Sequence, residues 1–226
     1  MISRRVLLAS SLAAVTQLPT AAQAQWAGNT VAAAEALLRR FRDNSAWAPV
    51  WQQIGRSEGV LIAPRIAAEG FLVMQENGAG LVLARHGGAW SDPVGVSLSE
   101  TSVGLQGGVR EFGLVLAVLN QDALRQMVQG GVSYGGSGGF ALGSLGLGSQ
   151  ASIGTSGVNT IAVTVSESGL FAGSGIGDMK LSPVQEMNAY LNGGELPPEQ
   201  VLRREGRHGN SRGLRELLAE ASRAAR

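Results

Sequence analysis

"TSVGLQGGVREFGLVLAVLN", Thr101–Asn120, is the stretch on which the fold turns. From Phe112 to Leu119 it is continuously apolar and rich in Val and Leu, as a buried strand is. Glycine nevertheless interrupts it at Gly104, Gly107, Gly108 and Gly113. Glycine inside a strand marks a bulge, sharp coiling or a close approach of two backbones. The only charges are Arg110 and Glu111, and there is no metal-ligand spacing or phosphate loop. The stretch carries shape and little chemistry.

The same texture extends on its N-terminal side. "GVLIAPRI", "GFLVMQ", "GLVLARH", "AWSDPVGVSLS", "SVGLQGGVR" and "FGLVLAVLN" are short apolar runs broken by Gly, Asn, Asp and Pro. They read as six strands whose connections are too short for parallel crossovers, so the sheet is antiparallel. Helices flank it. Ala34, Leu37, Leu38 and Phe41 lie on one face of a helix over 29–43, and Trp47, Val50, Trp51 and Ile54 on one face of a second over 46–56. The tryptophans, Trp90 included, read as core. "QDALRQMVQ" is a helix that Gly130 ends. The segment 130–158 is nearly all Gly, Ser and Ala; alternation at Phe140, Leu142, Leu145 and Leu147 favours a β-hairpin packed in the domain over a loose loop. "TIAVTVSE" and "GLFAGSGIGDMKL" return as strands, and "PVQEMNAYL" and "PPEQVLRRE" as short helices. A flexible "GRHGN" then leads to the basic amphipathic helix "SRGLRELLAEASRAAR".

The fold class expected is therefore α+β: a single domain of strongly coiled antiparallel β-sheet, barrel- or sandwich-like, with flanking N- and C-terminal helices. Residues 1–24 are set apart. Arg4 and Arg5 precede an apolar run from Val6 to Val15, and Ala22-Gln23-Ala24 is a small-x-small cleavage signal. This is the pattern of a signal peptide. Its run is about half the ~20 residues a membrane-spanning helix needs. Ser3-Arg4-Arg5 fits a twin-arginine signal as well as a Sec signal. The expectation is an exported, periplasmic protein, with a domain over 25–204 and a basic helix over 205–226.

Charge is unevenly spread. Gln25–Leu202 holds nine basic and fourteen acidic residues, whereas Arg203–Arg226 holds seven arginines and three glutamates. An acidic body with a basic tail argues against a nucleic-acid partner and permits contact with an anionic surface. The tail is open to two placements: at a membrane interface, or docked on the body. With no cysteine in the chain, disulfides, thiolate metal sites and cysteine catalysis are excluded. His86 and His208 have no ligand partners at metal spacing, so neither a metal nor a cofactor is expected. Gly135–Gly139 fits the G-x-S-x-G serine-hydrolase pattern around Ser137, with Asp178 and His208 following in order, but no helix pattern follows the serine as that elbow requires. The chain is expected not to be an enzyme, with a serine hydrolase as a remote alternative.

"SVGLQGGV", "FGLVLAVLNQDALRQM" and "SGLFAGSGIG", with "GVLIAPRI", "GAGLVLAR" and "GGAWSDPVGVSLS" before them, resemble the SYLF lipid-binding domain family in order and spacing over roughly Glu35–Val201. The resemblance implies an antiparallel sheet with packed helices, and a binding module rather than a catalyst. Eukaryotic relatives bind phosphoinositides and other acidic lipids, and some act on actin. Two departures weaken the phosphoinositide expectation. Ser57-Glu58-Gly59 stands where the family commonly has Ala-Lys-Gly, and Ala68-Glu69-Gly70-Phe71 where it commonly has Lys-Ala/Gly-Gly-Phe. Arg39, Arg40, Arg42, Arg56, Arg65, Arg212, Arg215 and Arg223 remain as candidate contacts to simpler anionic phospholipid at a membrane surface. The alternative is a periplasmic structural or interaction module with an envelope protein partner and no lipid ligand.

Overall fold

The computed structural model describes residues 20–129, 132–134, 141–143, 151–156 and 160–226. In chain order the elements are α1 (Ala21–Asp43), α2 (Ala48–Arg56), β1 (Gly59–His86), β2 (Ala89–Trp90), β3 (Val94–Val118), α3 (Gln121–Gln129), β4 (Val132–Tyr134), β5 (Ala141–Gly143), β6 (Ala151–Ser156), β7 (Thr160–Pro183), α4 (Gln185–Asn192), α5 (Pro198–Leu202) and α6 (Arg212–Ala224). Seven strands form an antiparallel sheet in the order β2-β1-β3-β7-β6-β5, with β4 also on β7. The path has two ends and does not close. The α+β class and the flanking helices agree with the expectation.

The six short strands read between Gly59 and Asn120 are in fact two long ones and a two-residue bridge. A straight strand as long as β1 would span roughly 90 Å, so it has to turn. Arg85 N–H donates to the Glu58 carbonyl at 2.8 Å. A Cβ on Gly59 would sit 2.6 Å from the Leu83 carbonyl oxygen, and one on Gly78 2.8 Å from that of Arg65. The two arms of β1 therefore run past each other in opposite directions, and the strand doubles back around Gly70–Val73. There Gly70 has φ 148° and Leu72 φ 61°, both on the positive side that a branched side chain resists.

β3 follows both arms of β1, from Gly59↔Val118 through Gly70↔Gly108 to Val82↔Val94. β7 follows β3 in turn, from Val118↔Thr160 to Val96↔Pro183. The result is three nested arcs with β1 innermost. An outer arc is longer than an inner one, and the register shows it: Leu72 alone separates Phe71↔Gly107 from Val73↔Val103, while β3 spends Gly104, Leu105 and Gln106 on the same span. The glycines of the opening stretch let strands turn without ending, which is why the sequence reading cut them into pieces.

Side chains alternate between two cores. Val60, Ile62, Leu81, Leu83 and Val115 pack with α1, α2, α4 and α6. Leu61, Ala63, Val82, Leu114 and Leu116 face the other way, onto α3 and α5. Trp47, Trp51 and Trp90 are buried, as expected. α1 starts eight residues earlier than its periodicity suggested, because Thr20 accepts from Gln23 N–H while the Gln23 side chain accepts from Thr20 N–H. The expected cleavage signal at Ala22-Gln23-Ala24 thus coincides with the first turn of this helix. Within 130–158, β5 pairs with β6 and β6 with β7, and Leu142 lies opposite Gly154. Gly130, Ser137, Phe140, Leu145 and Leu147 lie outside the described residues.

Candidate functional site

The C-terminal helix is part of the core. Leu214, Leu217, Leu218 and Ala221 are buried against α1 and α2. Of the two placements open to the tail, the structure has the docked one. Asp92, in the turn between β2 and β3, holds it there. Its carboxylate accepts from Arg207 N–H at 2.9 Å, from His208 N–H at 3.1 Å, and from the Arg215 guanidinium. Trp90 Nε1 donates to Ser222 Oγ at 3.1 Å. The segment read as a flexible "GRHGN" is therefore pinned, because a buried carboxylate takes its backbone N–H groups as ligands. "SDP" signalled a turn in sequence; nothing there marked Asp92 as a hub, since its partners lie more than a hundred residues away.

The candidate arginines divide by environment. Arg215 is spoken for: its side chain is 13% exposed and paired with Asp92. Arg42 bonds Asp43 at 2.7 Å and reaches Glu220 on α6 at 3.5 Å. That hydrogen bond raises the Arg42 pKa further and holds Asp43 below the usual carboxylate range. Arg39 pairs with Glu35, and Arg212 with Glu216, each one turn along its helix. The bond to Glu216 likewise raises the Arg212 pKa. Arg56 donates to the Ala225 carbonyl, capping the end of α6. Arg40 and Arg223 are exposed on α1 and α6. The salt bridge from Arg42 to Glu220 puts α1 beside α6, and the Arg56 bond puts α2 beside the end of α6. Arg39, Arg40, Arg42, Arg56, Arg212 and Arg223 therefore belong to one helical layer. Arg65 stands elsewhere, on an arm of β1, 76% exposed and paired with Glu111 at 3.0 Å. Glu58, which departs from the lysine common at that position in the family it resembles, is paired with Arg85 at 3.1 Å.

The sequence reading missed one surface. Phe71 is 78% exposed and Val109 64%, with Leu72 and Val73 about half exposed beside them. All four sit at the apex of the nested arcs. "GFLVMQ" has the composition of a buried strand, and nothing in it marks exposure. Among the described residues no group of three His, Asp or Glu could hold a metal ion, and no helix is long and apolar enough to cross a membrane.

A family model described as "Ysc84: Las17-binding protein actin regulator" matches residues 99–223, more than half of the chain. The chain belongs to the Ysc84, or SYLF, family. That match takes in β3 from Ser99 onward, all of β7, the helices α3 to α5 and all but the last residue of α6. The SH3 domain-containing YSC84-like protein 1 of Xenopus laevis is 30% identical over 142 residues, which is 62% of this chain and 42% of that relative. The alignment thus spans less than half the length of the relative. No solved structure matches the chain significantly. Within the Ysc84 fold seen here, Asp92 precedes the family match and Arg215 lies inside it, so the buried ion pair ties the matched segment to the β1–β3 turn.

Proposed function

We propose that this chain is a non-catalytic binding protein of the bacterial cell envelope that contacts anionic phospholipid through the helical layer α1/α2/α6. The observation that carries this is the charge of the docked layer: helices α1, α2 and α6 hold seven arginines, of which Arg215 is turned inward, against four carboxylates. Guanidinium groups near an anionic surface contribute about 1 kcal/mol each, weakened by salt. Arg39, Arg40, Arg42, Arg56, Arg212 and Arg223 are the contacts, with Arg65 separate and Arg215 withdrawn into its ion pair. Export to the periplasm by a twin-arginine or Sec signal in residues 1–24 belongs to the same proposal. Co-flotation of the purified chain with anionic vesicles at low salt tests it; a chain that stays in the aqueous layer at every anionic lipid content refutes it.

A second reading has its own support. Arg39, Arg42, Arg65 and Arg212 already have carboxylate partners within the chain, and the family model is described by a protein partner. A protein-interaction module with no lipid ligand would give a pull-down partner that survives detergent, and no flotation.

A further inference from the structure

The seven arginines of Arg203–Arg226 are not equivalent. Arg203 pairs with Glu199, Arg212 with Glu216 and Arg215 with Asp92. Arg204, Arg207, Arg223 and Arg226 are exposed, and among the described residues their side chains make no hydrogen bond or ion pair. Other contacts bring these four to one place, the β1–β2 turn. Gly206 N–H donates to the Trp90 carbonyl at 2.9 Å, which sets Arg204 and Arg207 beside β2. Arg207 N–H is itself held by Asp92. The bond from Trp90 Nε1 to Ser222 Oγ seats the last turn of α6, and with it Arg223, against the same strand. A Cβ on Gly88 would lie 3.1 Å from Arg226 Nη2, so that guanidinium lies over the turn. The carboxylates nearby are taken, with one exception. Arg85 engages Glu58 and Arg42 reaches Glu220, whereas Glu205, between Arg204 and Arg207 in sequence, is exposed. Four unpaired arginines thus stand against one glutamate. Like charges gathered without counter-ions repel and lower the stability of a fold.

We infer that the β1–β2 turn is a binding site for a phosphate monoester, with Arg204, Arg207, Arg223 and Arg226 as its cationic ligands. The inference deepens the proposed anionic-lipid contact and rests on it for the source of the phosphate. It places one headgroup at the end of α6, where Arg56 also reaches the Ala225 carbonyl. Three features favour this ligand. A guanidinium presents paired N–H donors that match two phosphate oxygens at once. A monoester carries about two negative charges at neutral pH and three acceptor oxygens, so it gains more from a cluster of cations than a singly charged diester does. The turn itself is bare: nothing lies within 4 Å of where a Cβ on Gly87 would stand, and Gly88 has no side chain, so an oxygen can approach the main chain under the Arg226 guanidinium. The main-chain bonds of Gly206 and Arg207 and the seat of α6 on Trp90 fix where the four side chains start, so binding has only their rotamers left to order.

Flotation and thermal melts of the full chain test this. Phosphatidylcholine vesicles carry either phosphatidic acid, a monoester, or phosphatidylglycerol, a diester, at equal surface charge; glycerol phosphate is the soluble probe in the melts. The expected result is tighter binding to phosphatidic acid and a melting temperature raised by glycerol phosphate. The combined variant Arg204→Gln, Arg207→Gln, Arg226→Gln should bind phosphatidic acid vesicles at least about tenfold more weakly, down to the phosphatidylglycerol level. It should also lose the response to glycerol phosphate while keeping or raising the melting temperature without ligand. Arg125→Gln, on α3, should match the wild type throughout. A glycerol phosphate response that the combined variant loses, with no flotation on any vesicle, upholds the site for a soluble phosphate and refutes the lipid reading. Equal binding to both anionic lipids, or a phosphatidic acid preference that the combined variant retains, overturns the site and leaves the helical layer standing. No response to either vesicle or to glycerol phosphate overturns both. A combined variant that melts well below the wild type gives these arginines a structural role and overturns the site as well.

Discussion

Arg215 of α6 and Asp92 of the β2–β3 turn form an ion pair in which the carboxylate is 1% exposed. The pair is not isolated, since the same carboxylate also accepts two backbone N–H groups. Removing one partner of a buried pair costs about 3–5 kcal/mol, because the other charge is left uncompensated. Asp92→Ala should reach that range, for it strands Arg215 and the N–H groups of Arg207 and His208 together. Arg215→Met should cost less, since Asp92 keeps its backbone donors. Urea unfolding of both variants checks the ranking; equal losses would mean that the backbone bonds contribute nothing.

The place where α2 crosses α6 is governed by Gly55. A Cβ there would collide with the carbonyl oxygen of Ala221. Helix propensity alone favours Gly55→Ala by up to about 1 kcal/mol. The obstacle is backbone rather than a flexible side chain, so overpacking of about 1–3 kcal/mol should outweigh it. Thermal unfolding decides the sign: a raised melting temperature would show that the two helices can separate without loss.

Much of this architecture was legible in the sequence, and the parts that were not have physical reasons. Ala34, Leu37, Leu38 and Phe41 gave the buried face of α1 because helical period is a local property. The antiparallel sheet followed from connection lengths. The nesting of the arcs did not follow, because a glycine within a strand signals close approach without saying what approaches. Leu83 opposite Gly59, and Met187 against Gly95, are pairings between distant segments. The same limit hid Asp92. The exposed apex escaped because Phe71, Leu72 and Val73 are the letters of a core strand, and their exposure follows from where β1 doubles back. Among the arginines named as candidate contacts, the sequence could not tell that Arg215 points inward while Arg39 and Arg212 stay on the surface.

Ending the chain after Leu202 should unfold the domain rather than release a peripheral tail. Leu214, Leu217 and Leu218 would leave the core shared with α1 and α2. Each fully buried leucine contributes about 1.5–3 kcal/mol, and the sum approaches the whole stability of a typical domain. Circular dichroism of the truncated chain tests this. A native spectrum with a cooperative melt would show that α6 is an accessory.

Substituting Arg39, Arg40 and Arg212 together by alanine should weaken binding to anionic vesicles without affecting the fold. Three exposed cations would contribute about 3 kcal/mol at low ionic strength. Arg39 and Arg212 are already engaged by Glu35 and Glu216, which reduces the expected loss to about tenfold in affinity. The salt dependence should flatten at the same time. Unchanged affinity with unchanged salt dependence would move the anionic contact off this layer.

Leu72 tests how much backbone strain the turn of β1 holds. Its φ of 61° places a branched side chain in the left-handed region, which costs a non-glycine residue roughly 1–2 kcal/mol. Leu72→Gly relieves that strain, and the extra freedom of glycine in the unfolded chain returns part of the gain. The net expectation is a stabilisation of up to about 1 kcal/mol. The Leu72 side chain is about half exposed, so its removal takes little packing away and the melting temperature should rise. A side chain held in strain only by packing would behave differently, since its loss would lower the melting temperature.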